Sequence, residues 1–218
     1  MGYLLGIDEA GKGPVIGPLV ICGCLIEEER EDELKKIGVK DSKLLFPKKR
    51  EKLFPKIKEI CSEFLAVEIT PRQLNAEMDI LNLNQIELAR VAKIVNHFSD
   101  RNPKIFIDSF EANTDKFTEK LREILKNKNL EIISENRADR KYPVVSAASI
   151  IAKVTRDGKI KELHKTYGDF GSGYPADPKT ISFLQKLDEK EFEGIVRTKW
   201  STAQRIIERR KQKKLEGF

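Results

Sequence analysis

The chain has 218 residues, 39% hydrophobic and 35% charged, with 41 Lys/Arg against 35 Asp/Glu. That is long enough for a full hydrophobic core and excludes a disordered chain. The longest apolar stretch, Val15 to Ile26, is 12 positions and contains Pro18, so no membrane span is expected, since one needs about 20 residues. The first residues, MGYLLGIDEAG, have no basic segment and acquire two acids at once, which argues against a secretory signal. Three cysteines, Cys22, Cys24 and Cys61, read as reduced core residues in a cytoplasmic protein.

Tyr3 to Asp8 reads as a short buried strand that ends in acids, followed by a Gly-Pro loop and a second apolar run from Val15 to Ile26. Residues 27–33 hold six acids and one Arg; residues 35–58 hold ten Lys/Arg and two acids. Clustered positive charge points to a polyanionic partner, with a solvated surface as the plain alternative. Phe64 to Thr70 is the third strand, and Pro71 opens a polar turn. The spacing of Ile86, Ala89, Val91, Ala92 and Val95 predicts a helix. Lys104 to Asp108 (KIFID) is the fourth strand, Asn113 and Thr114 cap a helix through Leu121, Ile124 and Leu125, and Leu130 to Ser134 is the fifth strand. Pro143 opens a helix rich in small residues (VVSAASIIAKV). A Gly/Pro loop past Gly168 leads to two further helices and a tail with seven Lys/Arg and two Glu in residues 199–218. The order predicts a mixed sheet with helices on its faces. Residues 1–167 are expected to form the main domain, and residues 168–218 a helical appendage ending in a basic tail.

Several chemistries are struck off. His97 and His164 are too far apart for an HExxH zinc site and read as lone surface histidines. There is no GxSxG elbow, and neither Gly11-Lys12 nor Gly158-Lys159 is followed by Ser or Thr, so there is no P-loop. Carboxylates remain. Asp8 and Glu9 end the first strand, Asp108 ends the fourth, and Asp139 precedes the small-residue helix. If the first and fourth strands are neighbours, their ends bring these acids together. Crowded acids take up protons or bind cations, and oxygen-only ligands select Mg²⁺ or Mn²⁺. Four carboxylates suit two ions about 3.5–4 Å apart, the spacing used for displacement at phosphorus. Taken singly, each acid could equally cap a helix or pair with a lysine. Gly11-Lys12-Gly13-Pro14 follows directly; its glycines let main-chain N–H groups approach a ligand.

IDEAGKGPVIGPLV, KDSK, FIDS, ADRKYPVVSAASIIAKVTRD and GSGYPADPKT, in this order, resemble the type 2 ribonucleases H (ribonuclease HII), most closely the archaeal-type members, from residue 3 to about residue 207. The resemblance implies a ribonuclease H-like fold, a five-stranded mixed sheet flanked by helices with a helical C-terminal part. It implies endonucleolytic cleavage of the RNA strand in RNA–DNA hybrids and incision 5′ of ribonucleotides embedded in duplex DNA, by two divalent ions, leaving 5′-phosphate and 3′-hydroxyl ends. It maps the family's acids onto Asp8, Glu9, Asp108 and Asp139, its Gly-Arg-Gly loop onto Gly11, Lys12 and Gly13, and its substrate-reading tyrosine onto Tyr174. Lys12 is a departure, because Arg offers a phosphate a planar fork and Lys a point charge. The 2′-hydroxyl alone marks RNA at a junction. Main-chain groups of Gly11 to Gly13 and the Tyr174 hydroxyl are suited to reading it, and Lys43 with the surrounding basic stretch to holding phosphates.

Other readings keep the fold and change the reaction (resolvase, transposase or exonuclease), or drop catalysis for a binding module. A carboxylate glycosidase finds little support in one Trp and 7% aromatics. No extended apolar face demands a partner, and a monomer is expected. Gln212, Leu215 and Phe218 resemble a sliding-clamp-binding motif that stops after one aromatic; a basic terminus with Phe218 packed on its own domain is the alternative.

Overall fold

The structure is a computed structural model that describes residues 2–39 and 45–216, with backbone only for 213–216. Lys43 and Phe218 lie outside the described residues, as does the side chain of Leu215; Gln212 is exposed near the end of the last helix. The chain forms two compact units: residues 1–10, 20–68 and 83–155 make the first, and residues 11–19, 69–82 and 156–218 the second.

The first unit is built on a five-stranded sheet of order β3-β2-β1-β4-β5, with β1 Tyr3–Ala10, β2 Leu19–Glu27, β3 Glu63–Ile69, β4 Lys104–Asp108 and β5 Ile132–Glu135. β1 pairs antiparallel with β2 and parallel with β4, and β4 pairs parallel with β5, so the sheet is mixed, as expected. Side chains alternate across it. On one face Leu4, Ala10, Val20, Cys22, Cys24, Ile26 and Phe106 join a core with α1 (Glu31–Ile37), α2 (Pro47–Ile60) and α6 (Pro143–Tyr167). On the other, Gly23 and Leu5 meet Ile94 and Phe98 of α4 (Leu83–Phe98), and α5 (Thr114–Ile124) lies beside α4 and β5. No helix among the described residues is long and apolar enough to cross a membrane.

The small residues of α6 have a geometric cause. A Cβ on Gly6 in β1 would run into the Val144 carbonyl and the Val145 nitrogen. Helix and strand backbones approach this closely only because Gly6 has no side chain, and the fully buried Ala147, Ala148 and Ala152 continue the small helix face. Such tight packing fixes the helix against the sheet with little room to slide.

The second unit has its own core of Val15, Ile16, Ile160, Phe170, Leu184, Phe192, Ile195 and Val196. It contains α3 (Pro71–Glu77), the C-terminal part of α6, α7 (Pro178–Lys186), α8 (Glu189–Ile195) and α9 (Ser201–Glu216). The Asn75 side chain in α3 donates to the Val196 carbonyl at 2.8 Å and accepts from the Thr198 N–H at 2.8 Å.

Local details differ from the sequence reading. The apolar run from Val15 is not all strand. Gly17 takes φ +89° and Pro18 follows, so β2 begins at Leu19. Val15 and Ile16 instead donate to the Gly173 carbonyl, at 2.8 and 3.2 Å. Three helices, not two, follow Gly168 among the described residues; the additional one is the seven-residue α8, whose N-terminus Asp188 caps. Pro71 starts α3 rather than a turn, with a reciprocal Thr70–Gln73 capping box. His164 is half-buried, its Nε2 lying 2.8 Å from the Gly171 carbonyl.

Candidate active site

Asp8 and Asp108 come together through register. Ile7 of β1 is paired with Ile107 of β4, so each aspartate is the next residue along adjacent parallel strands. By alternation both share the sheet face that carries α6. The β4 strand ends at Asp108, and its carboxylate is braced by the Ala138 N–H, which donates to Oδ1 at 3.2 Å. Asp139 follows in a short turn before α6, where the Ser146 hydroxyl donates to its carbonyl at 2.8 Å. Each of Asp8, Asp108 and Asp139 offers a carboxylate oxygen within 4.8 Å of the others. Asp8 and Asp139 are buried, and Asp108 is half-buried.

Glu9 stands apart from this trio. It is half-buried at the end of β1, paired with Ile21 of β2. Its main-chain N–H donates to Asp8 Oδ1 at 2.7 Å.

Two residues of α6 complete the surroundings of Asp8. The Ser149 hydroxyl hydrogen-bonds the Asp8 carboxylate, and Lys153 Nζ donates to Ser149 Oγ at 2.7 Å. Burial, then the charge of Asp108, pushes the Asp8 carboxyl up to about 7, against the pull of Lys153, Ser149 and the Glu9 N–H. Three crowded carboxylates, one protonated near neutrality, fit a hard divalent cation. The cation would relieve the repulsion and displace the proton, and an all-oxygen donor set has no preference for soft metals. Sequence reasoning missed Ser149 and Lys153. Their only signal was a hydroxyl and a cation four residues apart, on one face of the small, apolar N-terminal half of α6.

In the second unit the Gly11-Lys12-Gly13 loop and the turn carrying Tyr174 are built together. Gly11 holds φ +91°, a conformation that favours glycine. The loop is anchored from behind by the fully buried Arg197, which donates to the Gly17 carbonyl at 2.9 Å and the Lys12 carbonyl at 3.2 Å. The Tyr174 turn is anchored at Gly173, whose N–H donates to Thr180 Oγ1 at 3.0 Å while its carbonyl receives Val15 and Ile16. Asp177 accepts from the Ser172 N–H and hydroxyl at 2.7 and 2.8 Å, bonds that hold its carboxyl below the usual range. A Cβ on Gly13 would lie 3.5 Å from the Tyr174 ring, and Tyr174 is exposed. Arg197 is another residue that sequence reasoning passed over, because nothing in its neighbourhood along the chain announces a buried cation.

A mixed five-stranded sheet of this order, with carboxylates gathered at the ends of its parallel strands, defines a ribonuclease H-like, divalent-metal-dependent hydrolase. The family model described as Ribonuclease HII matches residues 5–203. Ribonuclease HII of Methanocaldococcus jannaschii is 46% identical over 229 residues, 97% of this chain and 98% of that protein. That of Pyrococcus abyssi is 42% identical over 212 residues, covering 96% and 93%. The crystal structure of ribonuclease H2 from Pyrococcus horikoshii OT3 superposes with a TM-score of 0.84 at 41% identity, over 95% of this chain and 98% of that one. The enzyme in the PCNA:RNase HII complex from Archaeoglobus fulgidus gives 0.79 at 39%, over 91% and 95%. The chain belongs to the ribonuclease HII family. It is a metal-dependent endonuclease of the ribonuclease H type, acting on RNA–DNA hybrids.

Proposed function

We propose that this enzyme, besides cutting the RNA strand of hybrids, incises duplex DNA on the 5′ side of an embedded ribonucleotide and leaves 5′-phosphate and 3′-hydroxyl ends. The observation that carries the chemistry is the convergence of Asp8, Asp108 and Asp139 within 4.8 Å. These three, with Glu9, are the residues we assign to holding Mg²⁺ or Mn²⁺. Two such ions, when bound, activate water for attack on phosphorus and neutralise charge on the leaving oxygen.

The protein's own part is to keep the acids in place and ready. The Ser149 hydroxyl and the Lys153 charge hold the Asp8 carboxylate in one orientation and favour its ionised form. Asp8 would give up its carboxyl proton to solvent on holding a cation. The Ala138 N–H fixes Asp108 in the same way. No side-chain nucleophile is required.

Ribonucleotide reading is assigned to the second unit. Main-chain groups at Gly11 and Gly13 suit a 2′-hydroxyl that bulkier side chains would exclude, and the Tyr174 hydroxyl and ring suit the same sugar. Lys12 supplies a point charge for a backbone phosphate, a looser grip than the fork of an arginine. Lys43 is assigned to phosphates farther along the duplex. Because the related Archaeoglobus fulgidus enzyme is known in a complex with PCNA, the tail Gln212, Leu215 and Phe218 is proposed to dock, weakly, on a sliding clamp.

The test compares three duplexes of one sequence: all DNA, DNA with one ribonucleotide, and an RNA–DNA hybrid. The proposal expects cleavage of the second and third and none of the first. Cleavage of the hybrid alone overturns the embedded-ribonucleotide reading.

A further inference from the structure

Arg156 is buried on α6, 6% exposed. Its guanidinium carbon lies 5.3 Å from the centroid of the Tyr174 ring, and one terminal nitrogen donates to the Ser172 carbonyl at 3.2 Å. The other terminal nitrogen is 3.5 Å from the Asp157 carboxylate. Its Nε is buried without a hydrogen-bond partner. On its other side, Arg156 fills the space that a side chain at Gly11 would take: a Cβ there would lie 2.7 Å from its Cδ and Nε. One buried cation therefore touches both the glycine loop and the tyrosine turn.

This is a costly residue to use as packing. A guanidinium taken out of water with one N–H unsatisfied is destabilising relative to an apolar side chain of similar length. What an apolar chain cannot supply is direction. A cation over an aromatic face holds the ring by its quadrupole, and the bond to the Ser172 carbonyl ties the charge to the same turn. Tyr174 is otherwise a 41% exposed ring between Gly173, at φ +79°, and Pro175. The guanidinium lies over one face of the ring, and the residue as a whole stays exposed.

We propose that Arg156 is a positioning residue for ribonucleotide recognition: it sets the orientation of the Tyr174 ring and its distance from the Gly11–Gly13 main chain. The inference rests on the assignment of Tyr174 to the ribonucleotide. Arg156 acts through Tyr174, so its effect belongs to substrate discrimination and not to hydrolysis itself.

The experiment is a double-mutant cycle with Arg156→Met, Arg156→Lys and Tyr174→Ala, read as kcat/KM on a single-ribonucleotide duplex and on a long hybrid, for variants that melt cooperatively. Arg156→Met is expected to lower kcat/KM on the single ribonucleotide by about tenfold or more, a coupling of the size of one cation–π contact, and to lower it less on the hybrid. Arg156→Lys restores part of the loss, since a charge over the ring survives and the guanidinium bond to the Ser172 carbonyl does not. In the Tyr174→Ala background, Arg156→Met has little further effect. Fully multiplicative losses in the cycle, or a Lys variant no better than Met, overturn the positioning role. If Arg156→Met fails to fold, Arg156→Lys against Tyr174→Ala supplies the cycle: a loss on the single ribonucleotide that disappears in the Tyr174→Ala background supports the positioning role, and fully multiplicative losses overturn it. If Tyr174→Ala lowers both substrates equally, the assignment of Tyr174 fails, and the proposal fails with it even where the two residues remain coupled.

Discussion

Asp8 and Asp108 each stand one residue past the paired Ile7 and Ile107 on neighbouring parallel strands, so the sheet register itself brings two carboxylates together. Local flexibility cannot separate them without breaking the ladder. Asp8→Asn or Asp108→Asn is expected to lower cleavage of a hybrid by at least about 10²–10³-fold, the scale of one preorganised electrostatic group. Duplex binding should persist or improve, because a charge that repels phosphate is lost. Filter binding beside a cleavage assay checks both, and near-wild-type Mg²⁺-dependent rates in Asp8→Asn would remove the acids from the mechanism.

The raised pKa of Asp8 has a consequence for stability. In the metal-free protein Asp8 releases its proton near pH 7, and in the unfolded chain near 3.8. Between these values the folded form binds more protons, so this group's contribution to stability falls as pH rises through the window. Thermal melts in a chelator should therefore show a contribution that favours the fold at pH 5 over pH 7.5. Asp8→Asn should flatten that part of the profile, and added Mg²⁺ should restore stability at the alkaline end by mass action. An unchanged slope in Asp8→Asn places the titration elsewhere.

Ser149→Ala removes the hydroxyl that favours the ionised Asp8. The acid limb of the pH–rate profile should move to higher pH, and metal affinity should fall about 10–100-fold, as when other outer partners of metal ligands are removed. Isothermal titration with Mg²⁺ and a pH–rate profile measure these separately.

How much of this was legible in the sequence differs residue by residue. The acids could be found because strands that end in Asp or Glu are a local pattern, and the helix opening at Pro143 was visible in its composition. The reason for that composition was not visible, because it lies in Gly6, far away in sequence but against the α6 backbone. Helix α2 was hidden by its charge: its ten-residue start, PKKREKLFPK, reads as a basic stretch and carries Pro55 inside the helix. Only the buried Leu53, Ile57 and Ile60 mark its inner face. Arg197 and Thr180 brace the loops through contacts that no spacing rule anticipates.

Gly6→Ala tests the α6 contact directly. A methyl group aimed at the Val144 carbonyl forces helix and strand apart, and overpacking of this kind costs about 1–3 kcal/mol. Here the upper end is expected, because the obstacle is backbone. Urea unfolding should show a lower midpoint at unchanged m-value; unaltered stability would mean that the helix moves freely on the sheet.

Removal of residues 212–218 should abolish the weak, about micromolar, association with the sliding clamp of the same source while leaving hydrolysis of a short hybrid intact. Equal clamp binding with and without the tail, or none in either form, reduces the tail to a basic extension.

Metal-dependent hydrolysis 5′ of a ribonucleotide is decided by mapping the ends that cleavage leaves. A duplex with one labelled ribonucleotide is incubated with enzyme, with and without Mg²⁺, and the fragment ends are identified. One incision is expected, only with the metal, leaving a 3′-hydroxyl on the upstream DNA and a 5′-phosphate on the ribonucleotide. A 2′,3′-cyclic phosphate, or equal cleavage in a chelator, would overturn metal-dependent hydrolysis at this bond.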